Sequence, residues 1–320
     1  IENDFMKTNT LRMLFKNKQF AFRMLVMFVL GFSSGLPLSL TGATLMSWYT
    51  VSGVSIEKIG MLALISQAYV FKFLWAPLLD IRVSKKWQKI LLIPMLLNMI
   101  TSALLFITKA FGWKLPALNL RRGWLMLMQI CLSIGLICMA MLSPKSSPFL
   151  LAGIACVVAF LSATQDVAND AYRIELLPEV ERGLGSAMQV EAYRLAMLFS
   201  GGLALIMADN LGWRVLYLIM AASLIVPFIV TVFSPNPVFD KPKPKPKSKP
   251  KSKTKFKNII NPMTNPIKAL WTDHKAYLVG FVLLIILYKF GDAFAGSFTS
   301  VFFLRKLEFS LSEVGLINKI

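Results

Sequence analysis

Apolar residues run along this chain in long blocks that return at intervals, with short polar segments between them. A helical bilayer crossing takes roughly 20 mostly apolar residues. Blocks of that kind lie at about Phe20 to Tyr49, Ile59 to Leu79, Gly123 to Leu142, Phe149 to Leu177, Ser186 to Ala208, Val215 to Phe233 and Ala276 to Phe303. The pattern predicts an all-α polytopic membrane protein with seven spans. Its recurrence along the whole chain argues against a signal peptide ahead of a soluble domain. The first block carries Gly31, Gly35, Pro37 and Gly42, residues that let helices approach or bend in lipid. One further block, Ile90 to Ile107, is apolar enough to span. A crossing there would invert every later loop. The preferred reading is a re-entrant or interfacial helix broken near Pro94, with a full crossing as the alternative.

Composition agrees with a bilayer solvent: 56% of the 320 residues are apolar and the mean hydropathy is +0.62. The formal net charge of +19 sits almost entirely between the apolar blocks. It therefore reads as a topology signal, and nucleic acid is excluded because no recognition fold accompanies it. Lys7, Arg12, Lys16, Lys18 and Arg23 precede or open the first span, while Arg82, Lys85, Lys86, Lys89, Arg121 and Arg122 lie between the second and third. The alternate loops are short and nearly charge-balanced, which places the N-terminus in the cytoplasm. From Asp240 to Asn258 runs DKPKPKPKSKPKSKTKFKN, whose alternating lysine and proline predict a solvated, semi-rigid linker with some attraction to anionic lipid. The expected organisation is a cytoplasmic N-terminus over 1–19, a six-helix bundle over 20–235 with a cytoplasmic or interfacial insertion at 84–120, the linker over 236–275, and the start of a second bundle over 276–320. Six spans, a linker and a seventh match the two-bundle plan of major facilitator transporters. On that plan the chain reads as a fragment, and it is not expected to transport by itself.

Cys131, Cys138 and Cys156 lie inside apolar blocks and His274 is the single histidine, so no metal, cofactor or catalytic set is predicted. The chemistry lies in ionisable residues within spans, each costing roughly 2.5–3.5 kcal/mol to insert and thus a candidate functional site. The fourth span holds SATQDVANDAYRIELL, with Asp166 and Asp170 at i, i+4 and Arg173 three residues on. Two carboxylates on one helix face resist carrying charge together, and the arginine offsets this, so the pair suits proton uptake and release; a structural salt-bridge cluster is the other reading. In the fifth span, VEAYRLAM places Glu191 and Arg194 at i, i+3 and at a similar depth, either as an inner gate or as plain helix adhesion. Lys72 in the second span and Lys289 with Asp292 in the seventh fall near the bilayer midplane. Lys72 either binds an anionic substrate or snorkels to the headgroups, and Lys289 with Asp292 reads as a mutual pair. Gln67, Tyr69, Trp75, Gln165, Tyr193 and Tyr288 offer hydrogen bonds and stacking surface nearby, suited to a large polar ligand with sugar rings or amides.

The strings GFSSGLPLSLTGATLMSWYT, IGMLALISQAYVFKFLWAPLLD, RRGW, SATQDVANDAY, ERGLGSAMQVEAYRLAMLFSGGLAL and LYKFGDAFAGSFTSVFFLRKLEFSLSEVGLINK, in this order and spacing, resemble the AmpG family of muropeptide permeases. The resemblance covers nearly all of Gly31 to Lys319 apart from the linker and the insertion. It implies a major facilitator fold in the bacterial inner membrane, importing N-acetylglucosaminyl-anhydromuramyl peptides with protons for cell-wall recycling, and a link to β-lactamase induction. It places the family's second-helix lysine on Lys72, its aspartate pair on Asp166 and Asp170, its tyrosine–arginine on Tyr193 and Arg194, and its seventh-helix lysine and aspartate on Lys289 and Asp292. Glu191 and the apolar insertion stand outside the family pattern. The rival expectations are a major facilitator carrier for another solute, such as a drug or sugar phosphate, and a non-transporting membrane sensor.

Overall fold

A computed structural model describes residues 18–76, 120–235 and 301–317, with isolated positions 280, 283, 284, 287 and 299. Every regular element among them is a helix, and five helices are long and apolar enough to cross a membrane. The first span joins α1 (Lys18–Thr41) to α2 (Ala43–Val51) across a break at Gly42. The second is a run of short pieces: α3 (Ile56–Leu62), α4 (Gln67–Val70), and the 3-10 turns Ala63–Ser66 and Phe71–Leu74. Then come α5 (Leu120–Ala140), α6 (Pro148–Leu176), a fifth span of α7 (Glu179–Leu198) and α8 (Ala204–Leu211) joined by a π turn, and a sixth of α9 (Trp213–Ser223) and α10 (Ile225–Phe233). A short α11 (Leu311–Ile317) follows. The predicted insertion segment Ile90 to Ile107, the linker, and Tyr288, Lys289 and Asp292 of the seventh block lie outside the described residues.

Two sets of contacts mark the two ends of the bundle. At the basic end, Arg23 of α1 grips Glu181 of α7 through Nε to Oε2 at 2.8 Å and Nη2 to Oε1 at 2.5 Å. Arg121 of α5 donates to Glu175 of α6 at 3.0 Å. At the tryptophan end, Trp48 stacks on Trp213 with centroids 5.5 Å apart, and the Tyr49 hydroxyl donates to the Pro148 carbonyl at 2.6 Å. Chain direction therefore alternates through the first, fourth, fifth and sixth spans.

The tightest seam joins the first and fifth spans, and glycine makes it possible. A Cβ on Gly31 would meet the Gln189 backbone, with its Cα at 2.9 Å; one on Gly35 would meet the Tyr193 backbone, with its Cα at 3.0 Å. Gly-Phe-Ser-Ser-Gly is thus a small-xxx-small face that lets two backbones touch, the packing that substitutes in lipid for a hydrophobic driving force. The fifth span begins seven residues before the apolar block predicts, because Pro178 opens a helix whose first turn carries Glu179 and Glu181. Acidic side chains there complement the positive helix N-terminus.

Arg122 does not act as a loop charge. It is fully buried, its Nε donates to the Thr231 carbonyl at 3.1 Å, and a second guanidinium N–H reaches the Val232 carbonyl. Gln129 donates to Thr231 Oγ1 at 3.1 Å, and the Tyr172 hydroxyl donates to the Pro235 carbonyl at 2.6 Å. Arg122 thus supplies partners that the last carbonyls of the sixth span lack within their own helix, while Gln129 and Tyr172 hold the Thr231 hydroxyl and the segment just past the helix end. The π turn Phe199–Leu203 likewise releases a carbonyl: Thr44, just past the break in the first span, donates to Ser200 O at 2.7 Å.

Candidate functional site

Charged and polar side chains collect along α6 where it meets the first, second and fifth spans. Asp166 lies four residues, one helical turn, past the midpoint of this 29-residue helix and toward the basic end. Its carboxylate is 8% exposed. Lys72, brought over from the second span, places Nζ 3.4 Å from Asp166 Oδ2, and the lysine side chain keeps 36% exposure. The other carboxylate oxygen, Oδ1, is buried without a hydrogen bond among the described residues. Two short α-helical pieces alternating with two 3-10 turns deliver Lys72, Trp75 and Tyr69 to α6. The Trp75 indole N–H donates to Thr164 Oγ1 at 3.2 Å, and its ring packs on Phe160 with centroids 4.7 Å apart.

Asp170 has a different set of partners. Arg173 Nη2 lies 3.3 Å away on the same helix, and Gln189 of the fifth span donates to Asp170 Oδ1 at 3.2 Å. Arg173 in turn donates to Ser186 Oγ at 3.0 Å. The two aspartates share a helix, as their spacing predicts, yet each answers to its own cation: Asp166 to Lys72 of the second span, Asp170 to Arg173 of its own helix, with the neutral Gln189 amide added from the fifth span. Glu191 and Arg194 pair with each other at 3.4 Å and both are exposed; among the described residues neither is bridged to Asp166 or Asp170. Gln165 is buried and donates to Ser33 Oγ at 2.9 Å, while Tyr193 is half-buried and Gln67 exposed.

Sequence reading passed over Ser33, Ser34, Asn169 and Gln189. Asn169 donates to Ser34 Oγ at 3.3 Å, so the first and fourth spans are joined by two amide-to-hydroxyl bonds one turn apart. The signal was present in a pair of serines inside an apolar block and an asparagine between two aspartates, but it needed the knowledge that these two helices touch. No group of His, Cys, Asp and Glu suited to a metal occurs among the described residues.

The arrangement can do three things chemically. A buried carboxylate with one free oxygen can exchange a proton. A half-exposed lysine can trade that carboxylate for an external anion. A polar track along one side of an otherwise apolar bundle can shelter water or a polar solute, because charged groups in hydrocarbon survive only against each other or a wet cavity.

Comparison with known proteins adds lineage. Residues 117–318 match the family model described as Major Facilitator Superfamily. The anhydromuropeptide permease of Escherichia coli K12 is 39% identical over 298 residues, 93% of this chain and 52% of that protein. An uncharacterized protein of Haemophilus influenzae is 31% identical over 309 residues, 94% of this chain and 61% of the relative. A Rickettsia conorii protein carrying the transporter name AmpG 4 is 28% identical over 306 residues, 93% and 64% of the two chains. The chain spans about half the length of the Escherichia coli permease that it matches.

Proposed function

We propose, from the premise that this chain belongs to the major facilitator superfamily, that it supplies the first six-helix bundle of a permease carrying anhydromuropeptides across a bacterial inner membrane. The single observation that carries the reading is the Lys72–Asp166 pair, charged groups set well inside a membrane-spanning bundle and open on one side. The printed name of the Escherichia coli relative, anhydromuropeptide permease, supports the substrate class.

In this reading the basic end faces the cytoplasm, since the lysine-rich N-terminus and linker flank it. A substrate carboxylate reaching Lys72 competes with Asp166 for the ammonium. Asp166, losing its counter-ion, takes a proton on a carboxylate oxygen, and the ion pair reforms when substrate and proton leave. Substrate and proton travel together because each removes the other's electrostatic obstacle. Trp75, Tyr69 and Tyr193 give sugar rings a stacking surface beside the charge, Gln67 and Gln165 add polar groups, and substrate binding extends to Tyr288, Lys289 and Asp292, which lie outside the described residues. Asp170, Arg173, Glu191 and Arg194 form the cytoplasmic-side gate; paired here within their own helices, they exchange those partners for groups across the gate as the bundles rock. The product belongs to peptidoglycan recycling.

The test is uptake of labelled N-acetylglucosaminyl-anhydromuramyl tripeptide by the full-length protein in proteoliposomes, with and without an inward proton gradient. Gradient-stimulated uptake is expected. Uptake indifferent to the gradient would remove proton coupling. Absent uptake of the muropeptide, with uptake of a labelled sugar phosphate or drug, would move the protein to a different solute.

A further inference from the structure

Ser162, Gln165, Asp166 and Asn169 fall at i, i+3, i+4 and i+7 on α6 and so line one face of that helix. All four are buried, Gln165 fully and Asn169 to 1% exposure. Each keeps an oxygen without a hydrogen-bond partner among the described residues: Ser162 Oγ, Gln165 Oε1, Asp166 Oδ1 and Asn169 Oδ1. Buried polar atoms are nearly always satisfied, so a continuous stripe of such oxygens points to something that they hold in common.

The amide nitrogens decide which way the oxygens face. Gln165 Nε2 is committed to Ser33 Oγ at 2.9 Å and Asn169 Nδ2 to Ser34 Oγ at 3.3 Å, both hydroxyls on the first span. An amide held by its nitrogen has its oxygen held as well, so both side-chain carbonyls are fixed acceptors. Ser34 also lies beside the Asp166 carboxylate. Pro37, inside α1, has no N–H to offer the Ser33 carbonyl four residues before it, so the first span brings a further oxygen to this level. The positive charge at the site belongs to Lys72, which engages the other carboxylate oxygen, Oδ2.

Oxygens gathered around a carboxylate deep in a membrane protein, next to an interrupted helix, are the ligand set of an alkali cation. A single carboxylate among neutral oxygens suits a monovalent ion, whereas a calcium site draws on more carboxylates. We infer that Asp166 Oδ1, Gln165 Oε1 and Asn169 Oδ1, with the Ser33 and Ser34 oxygens, hold a small monovalent cation of the sodium kind, and that this ion competes with the Lys72 ammonium for Asp166. Two cations cannot both draw fully on one carboxylate, so each weakens the other's hold. The bound ion frees Lys72 for an anion, and an anion on Lys72 strengthens the ion's binding by the same factor. The site stands on the geometry alone; its consequence for transport rests on the reading above, in which a proton takes the same carboxylate.

The test is sodium binding by the purified full-length protein in detergent, at fixed pH and ionic strength, with choline replacing sodium. Radioactive sodium should be retained saturably and displaced by unlabelled sodium but not by choline. D166N should abolish this binding. K72M, which removes the competitor, should bind sodium at least about tenfold more tightly than the wild type. Sodium should also raise the melting temperature of K72M more than that of the wild type. Absence of displaceable sodium in the wild type would overturn the site and leave the stripe to ordered water. Binding retained in D166N would overturn it as well, by placing the ion elsewhere. Should D166N or K72M fail to fold, N169A decides the matter: its sodium binding should be weaker at least about tenfold, and unchanged binding would refute the site. No arm uses a muropeptide, so failed uptake beside saturable sodium binding would strike at the transport reading alone.

Discussion

Removing either member of the Lys72–Asp166 pair should have unequal effects. At 3.4 Å, with an effective dielectric of about 20, the Coulomb attraction is ~5 kcal/mol. Lysine exposure of 36% admits screening, which reduces the net contribution to about 1–2 kcal/mol. K72M leaves a carboxylate with 8% exposure and no counter-ion, a burial that costs about 3–5 kcal/mol. D166N leaves an ammonium that can turn toward water, and should cost about 1 kcal/mol. The double variant K72M/D166N should recover about 1–3 kcal/mol of what K72M loses. Denaturation of the full-length protein in mixed micelles by SDS, followed by tryptophan fluorescence, measures all four forms of the cycle. Additivity within about 0.5 kcal/mol would mean that the pair does not interact in the folded protein. Uptake should fail in all three variants whatever their stability, because no variant retains both an exchangeable proton and its competing cation.

Three other outcomes can be checked on the same footing. G31V and G35V should each destabilise by at least about 1–3 kcal/mol, since the first side-chain atom already meets the Gln189 or Tyr193 backbone; wild-type melting in either would refute the seam. R122M should cost about 1–3 kcal/mol by taking the Arg122 donor from the Val232 carbonyl, while the Thr231 carbonyl keeps the Ser234 hydroxyl at 2.8 Å, and R122K should not fully rescue it because one ammonium cannot reproduce the guanidinium fork. R23E and E181R should each lower stability by about 1 kcal/mol, and the exchange R23E/E181R should regain part of it, read from the melting curves of the three proteins.

Most of the fold was legible because hydropathy reports a property of single segments. The apolar blocks located the first, third, fourth and sixth spans within a few residues of their observed ends. The fifth escaped at its start because Glu179, Glu181 and Arg182 are charged, and charge at a helix end is indistinguishable from a loop until a partner such as Arg23 is seen. Arg122 was misread for the same reason. Its sequence neighbours say topology signal, while its burial depends on sixth-span carbonyls more than a hundred residues away. The site divides similarly. Asp166, Asp170, Arg173 and Lys72 were visible as charges in apolar company, but the assignment of Lys72 to Asp166 and of Gln189 to Asp170 depends on which helices touch. Helical spacing predicted the Glu191–Arg194 pair directly, being a contact within one turn.

The π turn has a further meaning for how this span could change over time. A wider turn adds about one residue to the winding, so everything beyond it is rotated by roughly 100° relative to an uninterrupted α-helix. Gln189 and Asp209 therefore occupy phases that a regular helix would not give them. Deleting one of Phe199–Leu203 would leave Gln189 in place and swing Asp209 away from Ser312. One codon lost or gained would thus retune one end of the span while sparing the other, making the turn an adjustable joint between two otherwise independent stretches of sequence.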